Sequence, residues 1–522
     1  MLELLSTAEM ARADQATIAA GTPGIVLMER AGAAVAERAM ALRSHGRVLV
    51  LAGPGNNGGD GYVAARLLTE KGYAVTVLAL GGPPRAGDAA EAARRWNGAT
   101  AVARDGGLPP CDVIIDALFG AGLARPLDGV AAALVDAANA AKVPILAVDL
   151  PSGIAGDTGA VMGVAIRATE TVTFARRKPG HLLLPGRLHC GRVRVADIGI
   201  AAATIAAVAP SCFANEPALW RQALPQPAAD GHKYSRGHVV VGSGGIASTG
   251  AGRLAARAAL RTGAGLVTIA CPPDALAVQA AANTAVMVRG IDGAGDLSVL
   301  LADRRITAVV LGPGAGVGER LRAEVQAALA SEAAVVLDAD AITSFADRPE
   351  ELAAAIRSRQ AATVLTPHEG EFHRLISQLN NFDKIIGKLE QTRSAAGYFN
   401  AIVLLKGPDT VVAMPDGRAA IAANAPPWLA TAGAGDVLAG MIAALLAQGA
   451  DKRMPAFEAV SAAVWLHGAA ATAVGPGLTA EDLSEALPGV LSGLRAGLLP
   501  VEPDRSAIRD PAHFWWCARP RA

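Results

Sequence analysis

Cysteine is scarce in this chain. The five present, Cys111, Cys190, Cys212, Cys271 and Cys517, are odd in number, scattered over 522 residues and never in a CxxC spacing. That excludes a disulfide framework and a zinc-ribbon arrangement, and it suits a reducing compartment. Net charge is lacking too: Lys+Arg and Asp+Glu number 47 each, and no basic run stands out. Nucleic acid and an anionic membrane surface are therefore not expected as partners. The opening "MLELLSTAEMARADQ" carries acids where a secretory signal needs a positive start, and apolar stretches such as 437–447 are short and broken by glycine. A soluble, cytoplasmic protein is expected. What the chain has in quantity is apolar residue, 52% against 18% charged, enough to bury large cores in two or three domains.

Those apolar residues come in short runs. In the first half they fall at 47–52, 74–80, 113–116, 145–149 and 171–174, separated by helical patterns such as 61–71 and 130–141. The second half repeats the style at 239–241, 266–270, 308–311, 334–337, 362–365 and 401–405. Continuous apolar runs alternating with helices predict an α/β fold, with largely parallel sheets covered by helices on both faces. Between the halves, Pro217, Pro225 and Pro227 interrupt any periodicity, so a domain boundary is expected near 215–230, with units at 1–215 and 230–500. Fragments cut there are expected to fold separately.

Polar residues gather where strands should end. "LAGPGNNGGDGYVAARLL" packs Asn56, Asn57, Gly58, Gly59 and Asp60 into a strand-to-helix junction, with the helix expected to begin near Asp60 or Gly61. No GK[ST] follows, so the junction is not a Walker loop, and two asparagines and an aspartate are foreign to GxGxxG. Asp60 could simply cap the helix, which would leave the asparagines unexplained. "VIIDALFGAGLARP" puts Asp116 at another strand end ahead of the turn Gly120, Ala121, Gly122, Leu123, Ala124, Arg125, Pro126, and "PILAVDLPSG" does the same with Asp149 and Ser152. Asn57, Asp116 and Ser152 offer hard oxygen ligands of the kind that suit an alkali or alkaline-earth ion.

In the second half, "TAGAGDVLAGMIAALLAQG" opens a helix at whose start the Ala434 and Gly435 N–H groups would face an anion, with Asp436 in the first turn. Asp436 could cap that helix or act as a base. "GPGAG" with Gly314 and Gly316, "LDADAI" with Asp338 and Asp340, "LTPHEGEF" with His368, and "KGPDT" (Lys406, Gly407, Pro408, Asp409, Thr410) stand at further strand ends. A histidine such as His368 is more often a satisfied strand-end residue than a ligand contact.

"GPGNNGGDG", "DALFGAGL", "DLPSG" and "TVTFARRKPG", in that order, resemble the Rossmann-like N-terminal domain of NAD(P)H-hydrate epimerases, the YjeF type. The resemblance implies that Asn56–Asp60, Gly120–Pro126 and Asp149 meet the hydrated nucleotide and that Asn57, Asp116 and Ser152 hold potassium. Asp149 would then be the general acid or base of epimerisation. "GSGGIASTGAGRLAARAALRTGAG", "GPGAG", "LDADAI", "LTPHEGEF", "KGPDTVV" and "TAGAGD" closely resemble the ribokinase-like, ADP-dependent NAD(P)H-hydrate dehydratase domain. That likeness implies hydrate contacts at Ala251, Gly314, Gly316, His368 and Asp436, with Asp436 as catalytic base. It also implies an ADP site, with Mg2+, at Lys406, Gly407, Pro408, Asp409, Thr410 and Gly435. A bifunctional repair enzyme of homo-oligomeric form is the expectation. The rival is a ribokinase-like small-molecule kinase with a non-catalytic nucleotide-binding N-terminal domain.

Overall fold

The computed structural model describes residues 2–226, 228–377, 379, 382–449 and 454–498. The aromatic C-terminal tail, Cys517 and Pro227 lie outside the described residues.

Two sheets organise the chain. The first has seven parallel strands in the order Ala99–Ala103, Ala74–Leu80, Arg47–Ala52, Val113–Ala117, Ile145–Val148, Glu170–Phe174, Arg192–Ala196. Four of its inner strands, from Arg47–Ala52 to Glu170–Phe174, are buried along almost their whole length, which is why they read as apolar runs. The second sheet has eleven strands. From its outer antiparallel edge they run Glu3–Leu4, Cys212–Ala214, Ala419–Ile421, Val411–Ala413, Ile402–Leu405, Thr363–Leu365, Ala334–Leu337, Ile306–Leu311, His238–Gly242, Leu266–Cys271 and Met287–Gly290. The seven from Ile402–Leu405 onward are parallel to one another.

Helices cover both sheets closely. Helix Ala434–Gln448 lies so near helix Thr249–Thr262 that a Cβ on Gly440 would fall 2.0 Å from the Ala255 carbonyl oxygen. Only glycine among the alanines permits that approach. Helix Ala456–Val474 is long and apolar enough to cross a membrane by length and composition, and 72% of its apolar window is buried inside the protein.

Three expectations change. Helix Asn56–Glu70 starts four residues earlier than the glycines suggested, so Asp60 lies in its second turn and is not a cap. The reason is packing: a Cβ on Gly58 would stand 1.9 Å from the Gly53 carbonyl oxygen, so tertiary contact demands glycine in a helical turn where propensity reads loop. Next, Glu3–Leu4 and Cys212–Ala214, from the first half of the chain, are the outer strands of the second sheet. Last, residues 215–224 are no open connector. Trp220 is buried against Trp465, its Nε1 donates to Asn215 Oδ1 at 3.1 Å, and Asn215 Nδ2 donates to the Ser461 carbonyl at 2.8 Å.

Candidate functional site

The carboxyl ends of the first sheet converge on one turn, 118–121. Phe119 N–H donates to Ser152 Oγ at 2.9 Å and Ala121 N–H to Asp149 Oδ2 at 3.0 Å. A Cβ on Gly120 would lie 2.8 Å from Asn57 Oδ1 and 3.0 Å from Asp149 Oδ2, so these two side chains meet over that glycine. Beneath them Asp116 is fully buried and accepts from Ser152 Oγ at 2.6 Å, Ser152 N–H at 2.8 Å and Leu118 N–H at 3.3 Å. Burial pushes its carboxyl up to about 6 despite those donors. Asn57 Nδ2 is buried with no hydrogen-bond partner, a state that costs about 1–3 kcal/mol unless a ligand relieves it. Of the expected substrate loop, Ala121 is buried in this junction, Leu123 is half-buried, and Gly122, Ala124, Arg125 and Pro126 are exposed along its rim. Asn56 is exposed at the helix start, and Gly55 ahead of it supplies no side-chain cap, so the first-turn N–H groups face outward uncapped.

Asp149 is the most constrained of these groups. Its φ is +63°, the left-handed region that an aspartate adopts at a cost. Lys178 Nζ donates to its Oδ1 at 2.5 Å and Thr173 Oγ1 to the same oxygen at 3.0 Å. Burial opposes the charge, but the Lys178 ammonium and the Ala121 N–H outweigh it and hold the carboxyl at about 2. His181 closes the arrangement: its Nδ1 accepts from Lys178 N–H at 2.9 Å, leaving Nε2 to donate to the Asp149 carbonyl at 2.9 Å. Burial holds that imidazole down to about 4, hence neutral. Two further carboxyls face the same charge. Burial, aided by Asp149, raises Asp14 to about 6, and burial with Asp149 and Asp14 raises Asp60 well above its usual range. Sequence reasoning missed Lys178, Thr173, His181 and Asp14. Lys178 sits in the quoted "FARRKPG", where two neighbouring arginines disguise it as surface charge.

The second site forms around an uncapped helix. Helix Ala434–Gln448 follows Gly433, φ +85°, and no side chain caps it, so Asp436 is not a cap. A Cβ on Gly435 would lie 3.5 Å from Lys406 Nζ and 3.8 Å from Asp338 Oδ2, which places the lysine and a second aspartate beside the helix mouth. Lys406 Nζ donates to Asp338 Oδ1 at 2.6 Å and stands 3.9 Å from Glu371 Oε2; Thr366 Oγ1 donates to Asp338 Oδ1 at 2.8 Å. Burial pushes the Asp436 carboxyl up to about 6, with Asp338 and Asp340 adding to the rise and Lys406 opposing it. Asp340 Oδ2 accepts from Gly316 N–H at 2.9 Å, and Ala251 Cβ lies 3.3 Å from where a Cβ on Gly314 would be. Ala251 and Gly314 therefore adjoin each other, and Gly316 is tied through Asp340 to the carboxyl cluster around Asp436.

His368 and Asp409 are placed differently from the rest. His368 caps helix Glu369–Ile376, its Nδ1 accepting from Gly370 N–H at 3.0 Å and Glu371 N–H at 3.3 Å, with Nε2 3.3 Å from Glu371 Oε1. Within the turn 407–410, Thr410 Oγ1 donates to the Gly407 carbonyl at 2.7 Å. The Asp409 carboxylate faces away, accepting from Lys388 Nζ at 2.6 Å and Leu184 N–H at 2.9 Å. Asp338, Glu371 and Lys388 had no assigned role in the sequence reading, although "LDADAI" and "LTPHEGEF" contain two of them.

The comparisons with known proteins divide along the same line. Residues 24–180 match a family profile described as YjeF-related protein N-terminus, and 238–488 match one described as NAD(P)H-hydrate dehydratase. A bifunctional NAD(P)H-hydrate repair enzyme Nnr of Thermofilum pendens is 36% identical over 500 residues, covering 90% of this chain and 92% of that protein. One of the same description from Moorella thermoacetica is 36% identical over 523 residues, covering 94% of this chain and 97% of its own. A Bacillus subtilis ADP/ATP-dependent NAD(P)H-hydrate dehydratase, co-crystallised with ATP and Mg2+, is 29% identical with a TM-score of 0.44, over 52% of this chain and 94% of its own. With relatives of that identity matched over nearly their full length, the chain belongs to the family of bifunctional NAD(P)H-hydrate repair enzymes.

Proposed function

We propose that the site on the first sheet interconverts the R and S hydrates of NADH and NADPH, and that the site on the second dehydrates the S hydrate at the expense of ADP, giving AMP and phosphate. The observation that carries this reading is the convergence of Asp436, Lys406 and the uncapped start of helix Ala434–Gln448. An uncapped helix mouth attracts phosphate, a buried lysine neutralises developing charge, and a carboxyl raised to about 6 is a base of useful strength near neutrality. Asp436 takes the proton of the hydrate hydroxyl while its oxygen attacks the β-phosphorus and AMP leaves. Departure of phosphate with loss of a ring proton then restores the double bond. Ala251, Gly314, Gly316 and His368 line the hydrate side, and Lys406–Thr410 with Gly435 the nucleotide side, where Mg2+ would accompany the phosphates.

In the first site, Asn56–Asp60, Gly120–Pro126 and Asp149 meet the substrate in this reading. Asp149, held near 2 by Lys178, is a weak base, so its part in proton transfer runs through the Lys178–Asp149 pair. The residues present fit potassium. Asp116 supplies a buried carboxylate, Ser152 a hydroxyl, and Asn57 an amide oxygen, Oδ1, beside Gly120, while its partnerless Nδ2 is a donor left for the substrate. Bound there, the ion would supply fixed positive charge for the pyrophosphate. Working units at 1–215 and 230–500, the first lending Glu3–Leu4 and Cys212–Ala214 to the sheet of the second, a homo-oligomer and a cytoplasmic setting complete the proposal.

The decisive experiment incubates the intact protein with separated R and S hydrates of NADH, with and without ADP. Recovery of reduced-nicotinamide absorbance from the S hydrate only with ADP, and from the R hydrate through prior epimerisation, is expected. Phosphorylation of another small hydroxylated substrate, with no nicotinamide recovered, would support the kinase rival instead. A second expectation concerns potassium. Its chloride should raise the melting temperature of the wild type relative to sodium chloride at equal ionic strength. Asp116→Asn, which keeps an acceptor for Ser152, should lose most of that difference; an undiminished potassium response would remove Asp116 from the cation site.

A further inference from the structure

One segment, 178–187, serves both sheets. Its first residues, Lys178 and His181, hold Asp149. A few residues on, Leu184 N–H donates to Asp409 Oδ2 at 2.9 Å, and Arg187 Nη1 to the Pro408 carbonyl at 3.1 Å. From the opposite side Lys388 Nζ donates to Asp409 Oδ1 at 2.6 Å and to the Lys406 carbonyl at 3.4 Å. The ammonium lies against the turn itself, since a Cβ on Gly407 would come within 2.5 Å of it. Asp409 is 5% exposed and is held at once by the Lys388 ammonium and the Leu184 N–H.

We propose that Lys388, together with the Leu184–Arg187 stretch, positions the nucleotide turn Lys406–Thr410, so that the first unit completes the adenine-nucleotide site of the second. The proposal rests on the reading of that turn as nucleotide-binding. Its logic is geometric. The turn's two ends are fixed by strands Ile402–Leu405 and Val411–Ala413, but among the described residues its middle is closed internally by the Thr410–Gly407 bonds alone. Ala422 N–H and the Pro367 carbonyl hold its two ends, at the Thr410 carbonyl and the Lys406 N–H, while Asp409 and the Pro408 carbonyl are held by Lys388 and by the other unit. A turn preorganised in this way binds without ordering cost. Without its braces, it would lose affinity for nucleotide while leaving Asp436 and the helix mouth untouched.

The test uses the intact chain. Lys388→Met should raise both the KM for ADP and the directly measured ADP dissociation constant on the order of tenfold, what one charge-assisted hydrogen bond typically carries. Dehydratase kcat and epimerisation should stay near wild type, and Lys388→Arg should recover most of the affinity. Arg187→Ala should raise the same KM about threefold, and it stands as the deciding variant if Lys388→Met does not fold. Lys406→Ala is measured alongside. If Lys406→Ala loses ADP while Lys388→Met or Arg187→Ala binds it as wild type does, the bracing role is overturned and the nucleotide site stands. If Lys406→Ala itself binds ADP normally, the nucleotide reading of the turn falls.

Discussion

Asp436→Asn is expected to lower ADP-dependent dehydration by roughly 10²–10⁴-fold, the contribution of a positioned general base, with the protein melting no lower than wild type. The stability half of that expectation follows from the geometry. Asp436 caps nothing, so the amide removes no cap bond. Its carboxyl stands at about 6 because burial and the charges of Asp338 and Asp340 disfavour ionisation. A folded-state value above the unfolded one means that the ionised group costs stability at neutral pH, and that this cost fades as pH falls below about 6. Asparagine removes the charge and therefore the cost. The same value sets a pH profile: dehydratase activity in the wild type should decline as pH falls through about 6, where Asp436 takes up its proton. Calorimetry and turnover on one preparation decide both points. Near-normal turnover by the asparagine variant would end the catalytic assignment, whatever its melting temperature.

Removing Lys178 should have the largest effect on stability. Its side chain is 2% exposed and pairs with Asp149 at 2.5 Å. Lys178→Met leaves a half-buried carboxylate, 16% exposed, without its cation, a change that costs up to about 3–5 kcal/mol where burial is complete, and epimerisation should be lost with it. Asp149 is ionised down to about 2 in the wild type, so its stabilising contribution is present above the unfolded carboxylate range and disappears only as pH drops through about 2. In Lys178→Met the carboxyl is free to protonate at higher pH, and the gap in stability between variant and wild type should narrow as the solution is acidified. The double variant Lys178→Met with Asp149→Asn should be more stable than Lys178→Met alone, because it leaves no buried charge. Equal denaturation midpoints for the single and double variants would show that the pair does not act as a unit.

The strands legible in the sequence are those buried on both faces. Arg47–Ala52 and Ala334–Leu337 match their apolar runs residue for residue, since burial of both faces leaves no room for polar punctuation. Edge strands carry no such signal. Ala99–Ala103 is mostly exposed, and Arg192–Ala196 alternates arginine with apolar residues in the way edges resist further pairing. Val411–Ala413, three residues at the turn back from Ile402–Leu405, is not legible, although the equally short Thr363–Leu365 is. The sites divide similarly. Asp116, Asp149 and Asp436 stand out because an acid at the end of an apolar run needs a reason. Lys178 is 29 residues beyond Asp149, and only the parallel pairing of Ile145–Val148 with Glu170–Phe174 sets the two strand ends side by side. The helix around Asp60 starts four residues earlier than its sequence suggests, because glycines required by close packing read as glycines required by a turn.

The outer edge of the second sheet has a topological consequence. Leu4 and Cys212 are directly opposite each other in antiparallel register, so the chain departs at one point and, some two hundred residues later, comes back to the same point. The epimerase half is thus an excursion from the dehydratase half, a parenthesis opened and closed at neighbouring residues. Two covalent threads anchor it, which denies it the free swing of a domain on a single tether. A cut within 215–230 would carry the two outermost strands away with the wrong fragment and bare Ala419–Ile421 as a new edge. Excising 5–211 and joining Leu4 to Cys212 through a two-residue hairpin turn would instead spare every strand of the second sheet. Where a gene for one half meets a gene for the other, this fold favours a scar inside a sheet over a seam between beads on a string.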